Sequence, residues 1–443
     1  MGSHRHFGED WFGSSSEGNG SCRPSAASNI AAYAAPIVPR LIDAGEIAAV
    51  LPADGLTLVS GCSAESALLG DAVAAAGVAL GDMTFCGVFV GGLNRRVWQA
   101  NADSRVVTFF QTPELLAAGQ RIEFLPLCYQ DALAELRRRK PSAALIMCTP
   151  PDADGWCSFG TEVSFIADLW RDIPIRIAHV NPAMPRTRGD RGIPFDQLTA
   201  WFDVEQPLLA LPAPVANPVA QAIATFVEPF VRNGDTLQTG LGKIPDAVVH
   251  ALTGRKHLKV HTGLLGDALM RLIASGAVDH AVVGTAIGST DLYAQLDHPA
   301  LEFRPVSITH DPRRLAAIER LVTINSALEI DLFGQAYAEM TVDGFMSGPG
   351  GASDFARGAR AGGGVRIVTL PATTGPSSRI VAPGQGRGPV SLSRFDIDVV
   401  VTEYGAADLR GLDHSKRAAA LIAIASPPHR HALAGAWDGY FRP

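Results

Sequence analysis

Two glycine-rich segments are the stretches of this sequence best suited to chemistry. Thr239-Gly240-Leu241-Gly242-Lys243-Ile244-Pro245-Asp246 follows an apolar run and leads into a helical one. Glycines there let backbone N–H groups approach a ligand closely, and the N-terminus of the following helix favours an anion. The spacing lacks the third glycine of the dinucleotide fingerprint, and a plain sharp turn explains it equally well. The second segment is Ser347-Gly348-Pro349-Gly350-Gly351-Ala352-Ser353-Asp354. Consecutive N–H groups in such a loop can form a concave donor site for a developing oxyanion; a glycine-rich β-turn is the plainer alternative. Glu403-Tyr404-Gly405 is a third candidate. It ends the apolar run Ile397 to Thr402, expected as a central parallel strand with functional groups at its carboxyl end. No Gly-x-Ser-x-Gly elbow occurs, which argues against a serine hydrolase. His429-x-His431 and His4-x-His6 are isolated and read as surface or tag residues, so no metal site is assigned.

The elements that must position these segments follow from apolar patterning. Leu56 to Gly61 is a short β-rich run, followed by an Ala-rich helical stretch from Ala64 to Ala76. Leu145 to Cys148 and Ile175 to Val180 read as further buried strands. Strands alternating with Ala/Leu-rich helices predict an α/β fold with mainly parallel sheets. Gly55-x-Thr57-Leu58-x-x-Gly61 recurs as Gly234-x-Thr236-Leu237-x-x-Gly240. Two similar open α/β domains related by duplication would produce this echo, and chance likeness of two strand–glycine–helix units stays open beside it. The break is expected at Leu209 to Pro214, where two prolines in three residues favour an extended linker. The predicted division is a flexible leader at 1–35 and α/β domains at 36–212 and 213–443.

Composition narrows the class. The chain has 443 residues, of which 47% are hydrophobic and 18% charged, enough apolar material for a large core. A net charge of −7 lacks the broad basic footprint of a nucleic-acid binder. The basic run Arg137 to Lys140 reads as a solvated helix end. Six dispersed cysteines without a Cys-x-x-Cys pair suit a reducing cytoplasm. No apolar stretch reaches the length of a membrane span, and the first residues lack the apolar core of a signal peptide.

Taken together, several stretches resemble the acetyl-CoA hydrolase/transferase family, within it the 4-hydroxybutyrate CoA-transferase type of family I CoA-transferases. They are Thr149-Pro150-Pro151-Asp152 with Gly155, Val180 to Asp190, Gly240 to Val248, Ile324 to Leu332, Gly348 to Gly358 and Val401 to Gly411. The resemblance runs from about residue 40 to the C-terminus. It implies two α/β domains with the active site between them, a CoA-transferase-like fold and a homodimer or homotetramer. The substrates implied are a small acyl-CoA and an acceptor, with coenzyme A as substrate rather than a tightly bound cofactor. In the family a glutamate attacks the thioester and passes through an anhydride to an enzyme-bound glutamyl-CoA. By the same resemblance Gly240, Leu241, Gly242, Lys243 and Ile244 contact CoA. Leu328, Gly348 and Gly351 line that groove, and Gly350 and Gly351 lie in the oxyanion loop.

This sequence departs from that pattern at one decisive position. The family's glutamate closes a His-Ser/Thr-Glu run; here the run is His261-Thr262-Gly263. Gly263 therefore takes the nucleophile's place among the substrate-binding residues. Glu65, in Gly61-Cys62-Ser63-Ala64-Glu65, is the expected substitute, as a displaced nucleophile or a base for water. Its plainer role is that of a helix N-terminal carboxylate. Asp267 is a second nearby carboxylate. The predicted function is CoA transfer or acyl-CoA hydrolysis at an atypical site. Acyl transfer to a non-carboxylate acceptor and a non-catalytic CoA-binding role are the alternatives.

Overall fold

The computed structural model describes residues 38–213, 215 and 217–440. The expected leader, Cys22, His4 and His6 lie outside these residues, as does Pro214. Two eight-stranded sheets dominate the chain.

The first sheet comprises β1 (Arg40–Leu41), β2 (Leu56–Val59), β3 (Thr84–Gly87), β4 (Arg105–Thr108), β5 (Ile122–Phe124), β6 (Ala143–Cys148), β7 (Ile175–Val180) and β8 (Ala200–Asp203). Its order is β1-β8-β7-β6-β2-β3-β4-β5, parallel throughout. The second comprises β9 (Thr236–Thr239), β10 (Leu258–His261), β11 (Val278–Val283), β12 (Leu301–Phe303), β13 (Leu321–Ser326), β14 (Val365–Thr369), β15 (Val399–Thr402) and β16 (Gly405–Asp408). Its order is β16-β15-β14-β13-β9-β10-β11-β12, with only β15–β16 antiparallel. In both sheets an early strand, β2 or β9, lies inside. Three successive strands wind to one side of it and the remainder return on the other. The sequence echo thus marks equivalent strands of two similarly wound sheets.

Side-chain alternation explains how both sheet faces are covered. Leu58, Val107, Ile146 and Ala178 of the first sheet share one apolar cluster with Leu237, Val260, Ile324 and Ile367 of the second. Their neighbours Val59, Val106, Leu145 and Ile177 face a second cluster, and Val368 and Val400 a third. A strand such as β6, whose residues are all buried, has no wet face, which is why it reads as a continuous apolar run.

Five helices matter for the site. They are α1 (Ala67–Ala76), α2 (Tyr129–Arg139), α3 (Lys243–Ala251), α4 (Val306–Thr309) and α5 (Ala352–Ala361). Ser66 caps α1 by accepting the Leu69 N–H at 3.1 Å. The basic run ends α2, where Arg138 and Arg139 pair with Glu135 and Arg139 also with Glu123. The Ile397–Thr402 region differs from expectation. Its strand, Val399–Thr402, is next to the sheet edge rather than central, because the chain reverses at Glu403-Tyr404 to form β16. Among the described residues no helix is long and apolar enough to cross a membrane.

Candidate active site

The winding of the second sheet reverses between β9 and β13, and α/β sheets leave a crevice at the carboxyl ends of the strands on either side of such a point. The β9 end supplies Gln238 and Thr239, and the β13 end Asn325 and Ser326. Gln238 and Asn325 pair reciprocally through their amides, each bond 3.2 Å, and so satisfy one another in the cavity floor. Above them lies a cavity of about 330 Å³. Cys62 and Tyr129 reach it from the first half, Gly263 and His310 from the second.

Both glycine segments border this cavity. Gly240 and Leu241 line it, and no N–H from Gly240 to Ile244 donates a hydrogen bond to a described residue. Gly242, Lys243 and Ile244 do not line it; they open α3, with the Lys243 side chain exposed. Gly348, Gly350 and Gly351 line it as well. Gly350 adopts φ +57°, which turns the chain into α5, and the Gly350 and Gly351 N–H groups have no acceptor among the described residues. Gly348 packs so tightly that a Cβ would stand 2.0 Å from the Phe109 carbonyl oxygen. That contact docks the loop on the first half.

Other expected positions fall elsewhere. Leu328 does not line the cavity. Glu65 does not line it either, contrary to the expectation of a carboxylate at the acyl pocket. Its Oε2 accepts the Asn94 amide at 2.6 Å, and the same amide nitrogen reaches the Cys62 carbonyl at 2.9 Å. Burial pushes the Glu65 carboxyl up to about 7, against the Asn94 hydrogen bond and the Arg96 charge. Asp267 starts a helix and accepts from Ser289 N–H and hydroxyl. Glu403 accepts the Ala372 N–H at 2.8 Å and does not line the cavity.

Among the cavity residues that sequence reasoning missed are Cys62, Tyr129, Thr285 and His310. Cys62 follows β2 at φ +50°, and burial raises its thiol well above the usual range. Tyr129 begins α2 and packs against His310 with ring centroids 4.5 Å apart. His310 follows α4, and burial pushes its imidazole down to about 3. Thr285 forms part of the wall and donates to Glu162, a buried carboxylate behind it. Cys62 lies in the segment singled out for Glu65, and the other three belong to no motif; only their convergence in space identifies them.

Glu162 gives a testable pH effect. Burial lifts its carboxyl from 4.5 to about 7, against hydrogen bonds from Thr285 and Ser164. The folded chain therefore keeps a proton that the unfolded chain loses above about 4.5. The associated stability is full below that pH and is lost as pH rises through about 7. Glu162→Gln has no proton to lose there. Its stability relative to wild type should rise between about pH 4.5 and pH 8 by roughly 3 kcal/mol, read from denaturant midpoints. A constant offset across that range would contradict this.

Residues 288–436 match the family model of the acetyl-CoA hydrolase/transferase C-terminal domain. The 4-hydroxybutyrate coenzyme A transferase of Clostridium kluyveri is 33% identical over 360 residues, 78% of this chain and 80% of that protein. The crystal structure of RipA from Yersinia pestis aligns with a TM-score of 0.82 at 28% identity, over 90% of this chain and 97% of that one. A 4-hydroxybutyrate CoA-transferase from Porphyromonas gingivalis aligns with a TM-score of 0.73 at 29% identity, over 91% and 98%.

Proposed function

This chain belongs to the acetyl-CoA hydrolase/transferase family, and from that premise we propose that it hydrolyses a small acyl-CoA directly, without an enzyme-bound glutamyl-CoA. The observation that carries this reading is the cavity wall. Among the described residues lining it there is no aspartate or glutamate. A carboxylate nucleophile must touch the thioester carbon, and residue 263, where the family resemblance puts one, is glycine.

The remaining parts suit attack by water. The free N–H groups of Gly350 and Gly351 polarise the thioester carbonyl and receive the charge that develops on its oxygen. The N–H groups of Gly240 to Ile244, at the start of α3, receive anionic oxygen of the CoA moiety. Phe110, Leu264, Ile287 and Phe355 give an apolar lining for a short acyl chain. Glu65 supports the Cys62 turn through Asn94 from behind the wall. A cytoplasmic homodimer or homotetramer, with coenzyme A as a passing substrate and no tightly held cofactor, completes the reading; its support is the family alone.

The test is incubation with acetyl-, butyryl- and malonyl-CoA, with and without acetate. Free thiol should appear at a rate independent of acetate, and the intact protein should gain no mass corresponding to CoA. Acetate-dependent exchange together with a CoA adduct would overturn the direct mechanism. No turnover across the panel would overturn hydrolysis.

A further inference from the structure

His310 is 2% exposed and follows directly on α4. Its ring is held between Tyr129, 4.5 Å away by centroids, and Phe355, 4.7 Å away. Nδ1 lies 2.8 Å from the Thr309 hydroxyl oxygen. Nε2 hydrogen-bonds no described residue, although His310 is part of the cavity wall. A ring nitrogen that no protein group meets, on a residue of the cavity wall, is open to a ligand there.

Two glycines fix where that nitrogen sits. A Cβ on Gly263 would lie 2.9 Å from Nε2, and a Cβ on Gly351 would lie 2.4 Å from it. The imidazole therefore occupies the space into which a side chain at 263 would project. It also stands beside the backbone of the loop whose N–H groups are unpaired. Glycine at both positions is what allows the ring to be there.

We propose that His310 is the catalytic base of this site, with Nε2 taking the proton of the water that attacks the thioester. This rests on the reading above that an acyl-CoA occupies the cavity. As the water oxygen bonds to the carbonyl carbon, one water proton passes to Nε2. The carbonyl electrons move to the oxygen under the Gly350 and Gly351 amides. When the carbonyl re-forms, the carbon–sulfur bond breaks, and the CoA thiolate takes the proton back from Nε2. The products are a carboxylic acid, CoA thiol and a neutral imidazole.

The surroundings suit that cycle. The Thr309 hydroxyl also lies 3.2 Å from the Pro305 carbonyl. With its hydrogen turned there, the oxygen accepts from Nδ1–H, and Nε2 presents its lone pair to the cavity. Burial, with His261 adding to it, keeps the resting ring neutral. Imidazolium then forms only beside the oxyanion, as half of an ion pair.

The experiment compares wild type, His310→Gln and His310→Ala for hydrolysis of the best acyl-CoA, with CoA affinity measured by calorimetry. Both variants should lose roughly 10²–10⁴-fold in kcat and keep CoA affinity. Added imidazole should raise the rate of His310→Ala and leave wild type unchanged. Thr309→Val should lower kcat at unchanged CoA affinity, and Thr309→Ser should restore it. The Gln variant carries the test if the Ala variant does not fold. A kcat within about threefold of wild type in either folded variant overturns the role of His310 while leaving hydrolysis standing. So does loss of CoA affinity in proportion to kcat. A wild type inert to every thioester overturns both.

Discussion

Gly263→Glu, made alone, is expected to take on no CoA and to catalyse no CoA exchange. Combined with His310→Ala, the same substitution should yield a protein that gains the mass of CoA when given acetyl-CoA. The reason is space. A Cβ at 263 meets His310 Cε1 at 2.8 Å and Nε2 at 2.9 Å. The ring cannot swing clear, because Tyr129 and Phe355 pack against it. Overpacking of this kind costs about 1–3 kcal/mol, and the added carboxylate is desolvated besides. The single variant should therefore melt lower than wild type as well as fail in exchange. Removing the imidazole frees the space that a side chain at 263 needs, in the cavity that Gly350 and Gly351 also line. Intact-protein mass after incubation, with exchange of acetate into acetyl-CoA, reads the outcome. A CoA adduct on the single variant would show that His310 yields its place easily, and the geometric account of this site would be wrong.

What could be read in the sequence was what leaves a local mark. A glycine is required wherever backbone approaches backbone or turns sharply. Gly348 against the Phe109 carbonyl and Gly350 at positive φ were thus legible as a loop from residue types and spacing alone. The repeated Gly-x-Thr-Leu-x-x-Gly pattern marked β2 and β9 because each is a short buried strand ending at a ligand-side turn. Glu65 was singled out because it follows the first-half turn that echoes the Gly240 turn, but of that segment only Cys62 reaches the cavity. Asn94, from a distant segment, turns the Glu65 carboxylate behind the wall. The run to Glu403 misled for the opposite reason. Strand propensity is local, whereas a place next to the sheet edge depends on a reversal that pairs Val399 with Asp408. His310 left no mark at all. Its importance arises from Gly263 and Gly351, which approach it only in the folded chain. Neither glycine suggests a histidine when read alone.

Gly351→Ala should remove most turnover while leaving CoA affinity nearly intact, at an overpacking cost in stability of about 1–3 kcal/mol. The backbone at 351 has φ −91° and ψ 0°, a negative-φ conformation that residues with side chains also adopt, so a left-handed backbone is not the cause. The added methyl would lie 2.4 Å from His310 Nε2, 2.7 Å from Cδ2 and 3.2 Å from Phe355 Cε2. Tyr129 and Phe355 hold the ring, so the loop must shift away from it. Both the proton acceptor and the amide donors then lose registry with the same thioester. Misplacing an oxyanion donor costs about 10²–10³ in kcat, and the methyl's nearest neighbours are the His310 and Phe355 rings, not the Gly240 turn proposed above to meet the CoA anion. The decisive comparison is the double variant. If the methyl acts through the ring, Gly351→Ala should cost far less in a His310→Ala background than in wild type. Equal losses in both backgrounds would mean that the loop amides alone are affected, and that Gly351 and His310 do not form one unit.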